Sequence, residues 1–289
     1  MALPLFSPKK TATDSSTELG FVDHLEALRW HILRSVIAIL IIAIVVFLNI
    51  DWIFDTIIYG PMRSDFITYT TLCHWGQKMH MGDALCMPAP NVKMQVTNFG
   101  SQFMSSISIA CIGGFIIAFP YVFWELWCFI KPALTPNEVK KSRSSIFWVS
   151  FFFFLGVLFA YFLMAPFTFS FLSNYKLGTL QAIETRPTLD DYIENMVDII
   201  IGSGLAFELP VASYVLSRIG LVNPAFLKTY RKYAYVIILI VAAVITPSPD
   251  WMSQTIVAVP LIALYEISIF ISARVEKDRK QKDKEFFSS

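Results

Sequence analysis

A chain of 289 residues that is 55% hydrophobic, only 16% charged and of mean hydropathy +0.58 lacks the charge that a soluble domain needs to cover its surface. Its 26 phenylalanines suit surfaces that face lipid. The net charge of +1 gives no pull toward nucleic acid, so only the placement of charge along the chain is informative.

Residues 1–30 are polar overall and form a first segment, too hydrophilic for a signal peptide. Within it Phe21, Leu25, Leu28 and Ile32 recur at one-face helical spacing, with Asp23, Glu26 and Arg29 on the other face. This pattern predicts a short amphipathic helix at the membrane surface, leading into the first span. Apolar stretches follow at Ile32–Ile50, Phe103–Phe129, Ile146–Phe171, Ile193–Leu216, Tyr233–Ile245 and Ile256–Ile271. The first four are long enough to cross a hydrocarbon layer of about 30 Å as helices; the last two are short. Helices are the only backbone form that fits, because lipid satisfies no open backbone groups and no strand-like alternation is present.

Eighteen Lys and Arg fall in the N-terminal segment, the second and fourth connections and the tail, against five (Arg63, Lys78, Lys93, Lys176 and Arg186) in the alternate connections. The positive-inside bias therefore predicts six crossings with both termini cytoplasmic. The expected organisation is a surface segment over 1–30, a six-helix membrane domain over 31–272 with a long outer loop over 51–100, and a basic tail over 273–289. The apolar residues of the outer loop predict a lid of short helices. Pro120, Pro166, Pro210 and Pro260 lie in or near four spans, and each removes a helical hydrogen bond. The fold class expected is an all-α, proline-bent, concave bundle.

Cys73 and Cys86 share the outer loop, where a disulfide is permitted; free thiols, or a metal held with His74 and His80, are the alternatives, although that spacing matches no common metal site. Cys111 and Cys128 read as small apolar residues.

Catalytic motifs are missing: there is no HExxH, no GxSxG and no phosphate loop. Gly202-Ser203-Gly204 reads as a helix-packing run rather than a nucleophile. No enzyme and no cofactor are expected. Glu208 stands out, ten residues and about 15 Å before Arg218, at a depth where an acid faces a cavity, a partner or the carbonyl freed by Pro210. Glu138 in Thr135-Pro136-Asn137-Glu138 has the form of a capping box, and Glu26 with Arg29 the spacing of a surface pair.

In chain order, several segments resemble the TatC family, the multispanning subunit of the twin-arginine protein translocase. His24-Leu25-Glu26-Ala27-Leu28-Arg29 resembles its His-Leu-Glu-Glu-Leu-Arg, with Ala27 in place of the second Glu. Phe119-Pro120-Tyr121 and Leu126–Leu134, followed by Glu138, resemble the end of the second span and its loop. Phe207-Glu208-Leu209-Pro210-Val211 resembles the fourth span. Thr246-Pro247, Asp250, Ser253-Gln254 and Tyr265-Glu266-Ile267 resemble the last hairpin, with a turn one residue longer.

The resemblance implies a subunit of the bacterial inner membrane that recognises twin-arginine signal peptides and takes part in proton-motive-force-driven export of folded proteins. TatA-type and TatB-type single-span partners, membrane lipids and a homo-oligomer are implied with it. Glu26, Arg29, Phe129 and Glu138 would line the signal-peptide site. Glu208, Asp250 and Gln254 would be intramembrane polar residues open to partners, and Pro120 and Pro210 structural. The competing expectations are a secondary transporter of a small solute built on Glu208, and a scaffold without cargo.

Overall fold

The computed structural model describes residues 21–80, 86–90, 92–131, 136–175, 186–219, 223–246 and 251–288. Helix α1 (Phe21–Leu48) is continuous for 28 residues, about 42 Å, with no break between a surface segment and a span. Short turns of helix follow: α2 (Ile50–Ile53), a π-helical turn (Phe54–Ile58), a 3-10 turn (Gly60–Met62) and α3 (Ile67–Lys78). Next comes α4 (Ser101–Ile130). The third long helix comprises α5 (Pro136–Phe159), a π-helical turn (Ala160–Met164) and α6 (Ala165–Asn174). The fourth comprises α7 (Leu189–Ala206) and α8 (Leu209–Ile219). Then α9 (Pro224–Thr229), α10 (Arg231–Ile245) and α11 (Trp251–Ser288) complete the chain.

Five of these helical rods are long and apolar enough to cross a membrane: 25–48, 101–130, 146–174, 189–217 and 254–277. At 15 residues, α10 spans only about 22 Å and is as short as the sequence suggested, whereas the last apolar stretch, expected to be short as well, belongs to the long span 254–277. By contrast α11 runs for 38 residues, about 57 Å, carrying the basic tail as helix. Its root is packed rather than free: Val275 is buried, and Ser217 of α8 donates to Ser272 at 2.7 Å.

The core lies among α4, the π-helical turn with α6, α7, α10 and α11, where Met164, Met196, Ile199 and Ala242 are almost wholly enclosed. A second cluster joins α4 to α5 through Phe119 and Phe153, whose rings stack with centroids 3.5 Å apart. The outward side of α5 presents Phe147, Trp148, Phe151, Leu155 and Leu158, a surface fit for lipid. So the abundant Phe serves both interior and exterior.

The prolines act differently from one another. Pro120 and Pro260 sit inside continuous helices. Pro166 cannot donate to the Phe162 carbonyl, and Thr68 of α3 donates its hydroxyl to that carbonyl instead. Nearby, the Tyr69 hydroxyl lies 2.9 Å from the Pro61 carbonyl and 3.1 Å from that of Pro166, and burial raises its phenol above the usual range. Tyr161 and Tyr192 bind the Ile57 and Ile58 carbonyls at 2.8 and 2.5 Å. These bonds tie the segment between α1 and α4 to the bundle, and a disulfide between Cys73 and Cys86 closes its far edge.

On α1 the apolar face read from the sequence is shielded only in part, and small and polar residues share the packed side. Leu25 and Ile32 are exposed, while Ala27, Leu28, His31 and Ser35 are shielded against α4. Lipid accepts an apolar face without cost, so apolar periodicity in a span does not mark the protein-facing side. Close approach does: a Cβ on Gly114 would lie 2.8 Å from the Ile39 carbonyl oxygen and 2.9 Å from the Ala43 amide nitrogen. Gly114→Ala is therefore expected to destabilise the purified protein by about 1–3 kcal/mol. Gly100→Ala, which meets nothing within 4 Å, should leave the thermal midpoint in place. Equal midpoints for the two variants would contradict the α1–α4 packing described.

Candidate functional site

Polar side chains gather where the start of α1 meets the end of α4. Tyr121, Glu125 and Phe129 are spaced four apart, so they share one face of α4. Across from them on α1 stands His31, whose Nδ1 lies 2.5 Å from Glu125 Oε2. The Tyr121 hydroxyl donates to Glu125 Oε1 at 2.8 Å, and the Phe129 ring meets the His31 ring edge-on at 6.3 Å. Arg34, one turn further along α1, sets a positive charge near the carboxylate of Glu125. This cluster binds the first and second spans at their ends. Glu26 and Arg29 are exposed on α1, turned about 100° and 200° around the helix from Ala27. Glu138 belongs to the first turn of α5; its side chain, and the proposed cap at Thr135, lie outside the described residues.

Glu208 occupies a separate place, the turn between α7 and α8. Pro210 cannot bind the Ala206 carbonyl, and the helix restarts at Leu209. The turn carries Glu208 toward the Phe153 backbone of α5. Its Oε1 is buried and, among the described residues, has no hydrogen-bond partner. A buried carboxylate oxygen without a partner lowers stability and is retained where another molecule or a proton completes it.

A third cluster closes the last hairpin. Glu266 of α11 accepts from Arg231 and, at 2.5 Å, from Tyr235, both on α10. Gln254 donates to the Leu239 carbonyl at 3.1 Å, so this residue serves the α10–α11 seam. Asp250 lies outside the described residues. At the opposite end of the bundle, Asp190 accepts from Ser101 at 2.5 Å and Ser105 at 2.9 Å, joining α7 to α4. No group of metal-binding side chains is present among the described residues.

The family model described as Sec-independent protein translocase protein (TatC) matches residues 23–260. The chain belongs to the TatC family. It is 39% identical over 267 residues to the TatC protein of Blattabacterium sp. subsp. Periplaneta americana, covering 92% of this chain and 99% of that one. With the Aquifex aeolicus TatC it shares 31% identity over 264 residues, 91% and 98% of the two chains. A crystal structure described as the twin arginine translocase receptor TatC superposes with a TM-score of 0.67 at 31% identity, covering 88% of this chain and 99% of that one. TatC proteins are multi-pass membrane components of the Tat translocase and not enzymes.

Within this TatC chain, the structure brings Phe129 to the α1–α4 seam with His31 and Glu125, and leaves Glu26 and Arg29 on the outer side of α1. His31, Tyr121 and Glu125 escaped the sequence reading, although the 121–125–129 spacing on an otherwise apolar helix was a usable signal. Glu194 and Asp198 were missed as well. They continue the exposed face of α7 from Asp191 at +3 and +4, and Asp198 lines a cavity of about 510 Å³ with Cys111, Phe115 and Ile245.

Replacing Glu208 tests whether its open carboxylate is structural. Glu208→Leu should raise the thermal midpoint of the isolated subunit, by removing a buried polar group worth about 1–3 kcal/mol, while lowering translocation; Glu208→Gln should keep more activity. A lowered midpoint with unchanged translocation would show a packing role.

Proposed function

We propose that this TatC chain is the subunit that recognises the paired arginines of twin-arginine signal peptides and takes part in the proton-motive-force-driven export of folded proteins. The reading places it in the bacterial inner membrane with both termini cytoplasmic, working with TatA-type and TatB-type single-span subunits, among lipids and in a homo-oligomer. The observation that carries it is the meeting of the start of α1 with the end of α4, beyond which the chain turns into α5 within six residues. Phe129 faces α1 there, α5 begins with Glu138 in its first turn, and Glu26 and Arg29 stand alongside on α1. Under the charge bias that end is cytoplasmic, where a signal peptide arrives. Guanidinium groups bind carboxylates bidentately, so acids beside an aromatic ring suit an arginine pair flanked by apolar residues.

In this reading 31–272 is the membrane domain and 273–289 the tail, and Glu208, with its open Oε1, offers a docking point for a partner helix. A peptide carrying Arg-Arg and a photocrosslinker should label the wild-type protein, and its Lys-Lys counterpart much less. The Glu26→Ala, Glu138→Ala double variant should lose most labelling, well beyond the ~1 kcal/mol of a lost helix cap. Undiminished labelling of the double variant would remove both residues from the site.

The short hairpin is read as crossing the membrane, its ionised Asp250 needing water or protein that lipid does not supply. Local thinning of the bilayer accommodates the roughly 22 Å of α10 at fractions of a kcal/mol per Å. A cysteine at Ser248, in a variant whose native thiols are replaced, should react with a membrane-impermeant reagent added outside. Reaction only after the inner face is opened would establish a re-entrant hairpin.

A further inference from the structure

This inference rests on the twin-arginine reading and assigns one contact within it. Glu125 is an ionisable residue on an apolar helix, five residues from its end, and its side chain is 12% exposed. Its two oxygens each hold one observed donor, His31 Nδ1 at 2.5 Å and the Tyr121 hydroxyl at 2.8 Å. A carboxylate offers about four acceptor positions, so both oxygens can take a further donor. Those two bonds come from different helices, which fixes the plane of the carboxylate rather than leaving it to rotate. Arg34 moderates its charge without a direct bond in the structure.

The position of this acid matters as much as its bonds. Along the shielded face of α1, Ala27 lies one turn before His31, and the resembled motif carries an acid at Ala27. Glu26, about 100° round the helix, is exposed. The acid presented to the α1–α4 seam is therefore supplied from across it, by α4. Phe129, one turn past Glu125, adds an aromatic face that a guanidinium plane can stack on and an ammonium cannot match.

We propose that Glu125 receives one guanidinium group of the signal peptide's arginine pair, with His31 and Tyr121 acting as positioning residues that hold its carboxylate for a two-donor contact. Discrimination of Arg from Lys follows, because an immobilised carboxylate matches the planar fork of arginine and gains less from a single rotating ammonium.

The test measures the affinity of full-length protein in lipid nanodiscs for two fluorescent synthetic signal peptides, identical except for Arg-Arg or Lys-Lys. Glu125→Gln preserves the shape and removes the charge; the ratio of the two dissociation constants should fall by about tenfold. A role limited to joining α1 and α4 would weaken both peptides alike, and an unchanged ratio overturns the proposal. Should Glu125→Gln not fold, Tyr121→Phe removes one positioning bond and should lower the ratio about threefold; an unchanged ratio there overturns it equally. A wild-type protein that does not prefer Arg-Arg would overturn the twin-arginine reading itself. A wild-type preference that survives Glu125→Gln overturns only the assignment of Glu125.

Discussion

A backbone group inside lipid must find its hydrogen bond within the protein, and every proline in a span leaves one carbonyl without its helical donor. Much of this architecture answers that demand. At Pro166 the open Phe162 carbonyl recruits Thr68, and that bond, with those of Tyr69, Tyr161 and Tyr192, seats the segment between α1 and α4 on the bundle. At Pro210 the helix yields instead, stopping at Ala206 and restarting at Leu209, so that Glu208 is turned inward. Similar local defects are thus resolved in two ways, one fastening an external element and the other exposing a polar group to the interior.

Polar side chains then act as rivets between rods that have little hydrophobic drive to associate. In lipid, apolar contact between helices replaces apolar contact with acyl chains, so specificity comes from close backbone approach and from hydrogen bonds. The chain uses both. Gly114 lets α1 lie against α4, and Ser203 donates to the Gly156 carbonyl at 3.1 Å where α7 meets α5. His31–Glu125, Asp190 with its two serines, Ser217–Ser272 and Glu266 with Arg231 and Tyr235 secure the remaining seams near helix ends.

Four of the five long spans were legible from apolar length, and the family from ordered short motifs, whereas the span over 254–277 read as short. The packed sides of the spans were not legible. In water an apolar stripe must be buried, whereas in a bilayer Leu25 and Ile32 can stay outside while Ala27 and His31 face the neighbouring helix. The candidate site was legible only in part for the same reason. Glu26 and Glu138 were found through motif resemblance, but the seam is completed by Glu125, a residue whose importance depends on which face of α4 meets α1. Cys73 and Cys86 were open to three readings because sequence spacing does not report geometry; the fold brings the two sulfurs together.

The packing of α1 also bears on how the chain is made. Only 11% of its membrane window is buried, and that contact is almost entirely with α4, which begins 53 residues after α1 ends. During synthesis the first span therefore enters the bilayer long before its partner exists, carrying Arg34 and His31 unmatched at one end and depending on lipid alone. The segment between the two helices is made before α4 arrives to pair with His31. Assembly of the seam is thus a late event, and it closes the end of α1 that is made first.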